Sequence, residues 1–176
     1  FSGGETRTLD DLLAEVAGHG LRHVCVTGGE PLAQKGCLAL LAALCDAGHD
    51  VSLETSGALD IAGVDPRVSR IMDLKAPGSG ELARNRLENL ALLNAHDELK
   101  FVLADAADYE WAKQQIAEYR LAERCTVLLS PVAGALDRGL DRPRPERCAG
   151  GIVERTAGRL GQRRTGGGDD NCVTHG

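Results

Sequence analysis

Aromatic residues are scarce: one Trp, two Tyr and two Phe make up 3% of the 176 residues, and none stands beyond Tyr119. A surface that binds nucleic acid by stacking bases on rings has little to build from, and a net charge of −6 supplies no basic face to steer a polyanion. Long apolar runs are missing too. The longest, residues 37–45, is about half of a membrane span, so no membrane segment is expected. No signal peptide opens the chain, and the expected compartment is the cytoplasm. The six cysteines stand at 25, 37, 45, 125, 148 and 172, with no C-x-x-C pair among them. That spacing matches no zinc or iron–sulfur ligand set and reads as small core residues. The long glycine fingerprints of phosphate-binding loops are also absent.

What remains is ordinary for a soluble globular chain: 43% hydrophobic and 26% charged residues, in a length that makes one domain or most of one. Phe1 opens without an initiator methionine and without helix or strand context, and reads as a chain cut at its front. Thr8 and Asp11 match a capping box, and Leu9, Leu12, Leu13 and Val16 form one apolar face, so a helix is predicted from Thr8 to a stop at Gly18 or Gly20. A strand is predicted over 24–27, helices over 38–47, 81–95 and 106–120, and further strands over 51–55, 71–75, 99–103 and 125–129. Five strands at intervals of 20 to 29 residues, mostly separated by helices, give an α/β fold. It is a parallel sheet or part of a (β/α) barrel.

Residues 138–164 carry eight arginines, 150–168 carry seven glycines, and no apolar period runs through either stretch. Only Ile152, Val153 and Leu160 offer core side chains there, so a body over 1–137 and a disordered Arg/Gly-rich tail over 138–176 are expected.

The polar residues with chemistry in them cluster where strands end. Thr27, Gly28, Gly29, Glu30 and Pro31 follow the first strand; two adjacent glycines permit a sharp turn and bare backbone, while Pro31 restricts Glu30 to extended geometry. Glu54, Thr55, Ser56 and Gly57 end the second strand, Asp73 and Lys75 the third, and Ser130 and Pro131 the last. In parallel α/β folds ligands bind at that end of the sheet. Glu30 can take an amine there, Glu54 an amine or ribose hydroxyl, and Lys75 a ligand carboxylate. Each also has a plainer use, as a turn, a surface acid or a partner of Asp73.

Taken in order, Thr-Gly-Gly-Glu-Pro-Leu, Glu-Thr-Ser-Gly, Asp-Leu-Lys-x-Pro-Gly-Ser-Gly and Leu-Ser-Pro-Val resemble the radical S-adenosylmethionine superfamily, over about residues 1–137. Within it they are most similar to the 7-carboxy-7-deazaguanine synthase family of queuosine and 7-deazapurine biosynthesis. The resemblance implies a partial (β/α) barrel of which this chain holds strands two to six. It implies that Thr27, Gly28, Gly29 and Glu30 hold the methionine end of S-adenosylmethionine and that Glu54, Thr55, Ser56, Lys75, Ser130 and Pro131 line the same pocket. Gly29 and Pro31 would touch a substrate of the 6-carboxy-5,6,7,8-tetrahydropterin type, which undergoes ring contraction with loss of ammonia. The implied companions are a [4Fe–4S] cluster, Mg2+, an electron donor such as flavodoxin and a second copy of the chain in a homodimer, with no nucleic acid and no membrane.

The family's C-x-x-x-C-x-x-C loop and the magnesium-binding threonine after it have no counterpart in this sequence, and the pattern places them upstream of Phe1. No residue here is therefore assigned as a metal ligand or as catalytic, and the chain is expected to be inactive without that loop. Two other readings remain open: a glycyl-radical-enzyme activase-like radical S-adenosylmethionine protein, and a non-catalytic α/β module that holds a nucleotide. On the synthase-like reading, and in a full-length version that carries the cysteine loop, Glu30→Gln is expected to weaken S-adenosylmethionine binding far more than it weakens folding.

Overall fold

The structure is a computed structural model that describes residues 4–132 and 152–154. Helix α1, Leu9–His19, begins at Thr8, whose hydroxyl accepts from the N–H of Asp11 (3.1 Å) while the Asp11 carboxylate reaches back to it, so the predicted capping box is formed. Gly20 ends the helix in the left-handed region at φ 64°. Five strands follow: β1 His23–Val26, β2 Asp50–Thr55, β3 Ser69–Leu74, β4 Glu98–Leu103 and β5 Thr126–Pro131. Helix α2, Cys37–Asp46, joins β1 to β2, and α3, Ala106–Glu118, joins β4 to β5. All strands are parallel, and each pairs with the next in the chain.

That order decides which face carries the site. Parallel strands joined in sequence by right-handed crossovers put every connection on one side of the sheet. The covered face is the core: Leu53, Met72, Leu99, Phe101 and Val127 lie beneath Leu41 and Leu44 of α2 and Ala112 of α3, all buried. Trp111 closes it edge-on against Phe101, with ring centroids 6.0 Å apart. Period-two alternation sends the intervening residues to the opposite face. There Ser52, Glu54, Ile71, Asp73, Glu98 and Lys100 are only half-buried or exposed. An uncovered polar face with the strand ends around its rim is the interior of an open, partial barrel.

Two expectations change. Residues 81–95 do not form an α-helix; they make short 3-10 segments, Leu82–Arg84 and Leu87–Leu92. Their asparagines explain why. Asn89 is fully buried, and its amide donates to the carbonyls of Gly57 (3.0 Å) and Leu59 (2.7 Å). The amide of Asn85 donates to the carbonyl of Lys75 (2.8 Å), and its oxygen accepts the Lys75 N–H (2.9 Å). These side chains fasten the segment to neighbouring loops at spacings a regular helix would not keep. The sheet also has a sixth strand, β6 Ile152–Glu154, parallel to β5 with Val127 opposite Ile152. It falls within the tail expected to be disordered, on two β-branched residues suited to pairing at a sheet edge. The remainder of that tail, the boundary at 137, and Phe1 lie outside the described residues.

Candidate functional site

Beyond Val26 the chain turns through Gly28 (φ 108°) and Gly29 (φ 56°), backbone angles that a side chain would strain. Nothing lies within 4 Å of where a Cβ on Gly28 would stand, so its backbone faces open space. Glu30 then takes extended angles, φ −127° and ψ 101°, ahead of buried Pro31. Its carboxylate is not idle. One oxygen accepts from the Thr55 hydroxyl (2.8 Å) and the Leu32 N–H (3.3 Å). The other accepts the Ser56 N–H (2.9 Å), the Ser56 hydroxyl in a very short contact, and a second approach of the Thr55 hydroxyl (3.0 Å). Burial works to raise the Glu30 pKa, but the donors on Ser56, Thr55 and Leu32 outweigh it and hold the group below the ordinary glutamate value. The carboxylate stays ionised and fixed across the ends of β1 and β2.

Beside it, the Thr27 hydroxyl donates to Glu54 at 2.9 Å, a second tie between the same two strand ends. Glu54 is exposed and keeps acceptor capacity for hydroxyl or ammonium groups. Thr55 is 6% exposed, on the core side of β2 with Val51 and Leu53. It therefore serves the pocket through Glu30, while Ser56 stays at the rim.

The third and fourth strands contribute a charged group. Lys75 Nζ lies 3.2 Å from one oxygen of Asp73, and Lys100 Nζ lies 3.1 Å from the other. Asn85 clamps the Lys75 backbone from both sides, and the turn that follows, Pro77–Ser79, is held by Asp108. The Asp108 carboxylate is buried and accepts the N–H of Gly78 (2.8 Å) and of Ala104 (2.9 Å). Ser130 and Pro131 are still paired within the sheet, opposite Val102 and Leu103, and the hydroxyl of Ser130 is joined to none of the other site residues. The structure thus ties Thr27 to Glu54, Glu30 to Thr55 and Ser56, and Lys75 and Lys100 to Asp73, with Ser130 on the same edge.

Asn85, Lys100 and Asp108 were not legible as site residues. Lys100 had no signal, because aligning the strands predicted over 71–75 and 99–103 puts Phe101 opposite Asp73, whereas the sheet pairs Asp73 with Lys100. Asp108 sits three residues after the N-cap Asp105, where an acid reads as a helix-start residue and nothing more. Asn85 had none.

The donors present fit S-adenosylmethionine by chemistry: an ionised carboxylate for its ammonium, an exposed acid for ribose hydroxyls and a lysine for its carboxylate. They do not fit a [4Fe–4S] cluster. Cys25 is on β1, Cys37 and Cys45 lie at opposite ends of α2, and Cys125 immediately precedes β5. Cys37 and Cys125 are buried, and burial raises both thiols, Cys125 to about 11, so neither offers a thiolate. Among the described residues no group of three or more His, Cys, Asp or Glu is arranged to hold a metal ion. No helix among them is long and apolar enough to cross a membrane.

No family model matches the chain. Individual proteins do. The chain is 44% identical over 137 residues to the 7-carboxy-7-deazaguanine synthase of Chlorobaculum tepidum, a match that covers 76% of this chain and 62% of that one. It is 42% identical over 136 residues to the enzyme of the same name from Koribacter versatilis, covering 74% and 59%. Its fold matches the crystal structure of QueE from Escherichia coli with a TM-score of 0.54 at 24% identity, over 74% of this chain and 56% of that one. The chain spans about three-fifths of the length of the curated relatives it matches.

Proposed function

We propose that this chain, a sequence relative of the 7-carboxy-7-deazaguanine synthases over three-quarters of its length, carries the cofactor- and substrate-binding strand ends of such an enzyme. The reaction is the contraction of 6-carboxy-5,6,7,8-tetrahydropterin to 7-carboxy-7-deazaguanine with loss of ammonia, which makes the enzyme a lyase of queuosine biosynthesis. One observation carries the reading above the others. The strand-end motifs that resemble this family all fall on a single edge of one parallel sheet, in a chain 44% identical overall to one of its members, and side-chain bonds already join the ends of β1 and β2.

S-adenosylmethionine, when bound in enzymes of this class, supplies hydrogen-atom abstraction from the substrate. This chain's residues bind and orient. Glu30 is a fixed anion for the ammonium group, and its hydroxyl donors on Thr55 and Ser56 can rotate to admit a new partner. The bare backbone of Gly28 and Gly29 accepts close approach by the ligand. Glu54, held by Thr27, takes hydroxyl groups, and Lys75 takes a carboxylate. No step is assigned to the described cysteines, whose placement does not suit a cluster.

Calorimetric titration of the chain with S-adenosylmethionine and with ATP separates this reading from that of a nucleotide-holding module. Saturable binding of S-adenosylmethionine, competed by S-adenosylhomocysteine and not by ATP, supports it. Tighter binding of ATP would transfer the site to the other class.

A further inference from the structure

We propose that Lys100 is a positioning residue: with Asp73 it presents Lys75 to the carboxylate of a bound ligand. The inference deepens the function proposed above and rests on it for the identity of the ligands.

Asp73 and Lys100 are Cα partners across β3 and β4, and Lys75 follows two residues on from Asp73, so all three side chains leave the sheet on its open face. One carboxylate stands between two ammonium groups: Lys75 donates to one oxygen at 3.2 Å, and Lys100 faces the other at 3.1 Å as an ion pair outside hydrogen-bond geometry, which leaves that buried oxygen with no hydrogen-bond donor among the described residues. The three carry one positive charge in excess. They are largely withdrawn from water, with side-chain exposures of 31%, 25% and 31% for Lys75, Asp73 and Lys100, so that excess is less screened than on a free surface.

Three other acids occupy the same face, and Asp50, at the start of β2, is taken up by Arg22. Glu54 takes the Thr27 hydroxyl on the β1 side, and Glu98 lies two residues before Lys100 toward the opposite end of β4. None of the three forms an ion pair with the lysines. With Lys100 taking one Asp73 oxygen, Lys75 is held by the other alone and keeps donors for a second anion. Asn85 fixes its backbone on both sides. Without Lys100, Asp73 would have only Lys75 to neutralise it, and Lys75 would fold back onto both oxygens. A carboxylate can come from the amino-acid end of S-adenosylmethionine or from a carboxypterin.

The test follows the lysine ε-methylene signals of the isotope-labelled chain by proton–carbon NMR. The ligands are acetate, S-adenosylmethionine, decarboxylated S-adenosylmethionine, pterin and pterin-6-carboxylate. At least one carboxylate-bearing ligand is expected to shift the Lys75 and Lys100 signals together, and preference for one carboxylate over its matched analogue names the source. Lys100→Met is expected to cost that ligand about tenfold in affinity, leave the decarboxylated analogue unchanged, and be rescued by Lys100→Arg. Shifts from acetate or the carboxypterin without any binding of S-adenosylmethionine would uphold this proposal and remove the cofactor assignment. Binding of S-adenosylmethionine with both lysine signals unmoved would do the reverse. The proposal is also overturned if no carboxylate moves either lysine, or if Lys100→Met weakens a ligand and its decarboxylated analogue equally.

Discussion

Glu30 and Ser56 stand 26 residues apart in the sequence, and both the N–H (2.9 Å) and the hydroxyl of Ser56 donate to the same oxygen of the Glu30 carboxylate. This bond pair, with Thr55 on the other side, closes β1 onto β2. It changes what a mutation at Glu30 does. Gln keeps the shape but offers one acceptor oxygen in place of two, and turns an NH2 group toward hydroxyl and amide donors. Glu30→Gln is therefore expected to lower folding stability by about 1–3 kcal/mol, alongside any loss of ligand affinity. Urea unfolding of the two proteins decides it; coincident midpoints would show that the bonds carry no net weight.

The same carboxylate sets a pH dependence. Its folded-state pKa is depressed below the ordinary value of 4.5, so the stabilisation it gives is fully present above that value and is lost as pH falls through the folded pKa. The difference in melting temperature between the native protein and Glu30→Gln is expected to hold near neutral pH and to shrink in acid below the ordinary value of 4.5. A gap that widens in acid would contradict the assignment of the shift.

How much of this was legible in the sequence depends on distance along the chain. Strands β1 to β5 announced themselves by alternation and apolar runs, and Thr8 with Asp11 announced α1, because those signals lie within a few residues. The stretch 81–95 misled because its leucines suit a helix while its fate was set by Asn85 and Asn89. Their partners are Lys75 and Gly57, 10 and 32 residues away. The site divides the same way. Its rim could be read from strand ends, whereas the bonds of Glu30 to Thr55 and Ser56, and the ion pair of Asp73 with Lys100, exist only once register brings strands together. Strand β6 shows the same limit, since Ile152 and Val153 have no period of their own and gain order by pairing with β5.

At the other end of the sheet, Arg70 and Asp97 form a buried pair, with exposures of 9% and 0% for their side chains. Asp97 also accepts the N–H of Arg70 and of Asn94. Asp97→Ala would leave two amides unpartnered and the buried guanidinium with only the Leu92 carbonyl and no counter-charge, and is expected to cost about 3–5 kcal/mol. This residue is far from the rim, so a loss of affinity larger than the loss of folded protein would be unexpected. Denaturant unfolding measures the first quantity and titration of the folded fraction the second.

Gly57, two residues beyond β2, has φ 69°, and a Cβ there would stand 2.7 Å from Sδ of Met72. Gly57→Ala combines backbone strain with a clash in the core beneath the site. A loss of about 1–3 kcal/mol is expected. Met72→Ala in the same background should relieve the clash alone, which a double-mutant cycle would detect as coupling.

Cys37 and Cys125 are buried with raised thiol pKa values, and are expected to resist iodoacetamide in the native protein and to react in urea. The same placement predicts that anaerobic reconstitution with iron and sulfide loads fewer than about four irons per chain. Iron analysis giving a full four-iron complement would overturn the statement that the described cysteines do not suit a cluster.

The central claim is that the strand ends of this sheet form one site for S-adenosylmethionine, and backbone amide NMR during titration with that cofactor tests it most directly. Shifts concentrated at Gly28, Gly29, Glu30, Ser56 and Lys75, with α1 and the outer surface of α3 unmoved, are the predicted result. A saturating titration that moves the helical face and leaves Gly28 to Glu30 in place would contradict it.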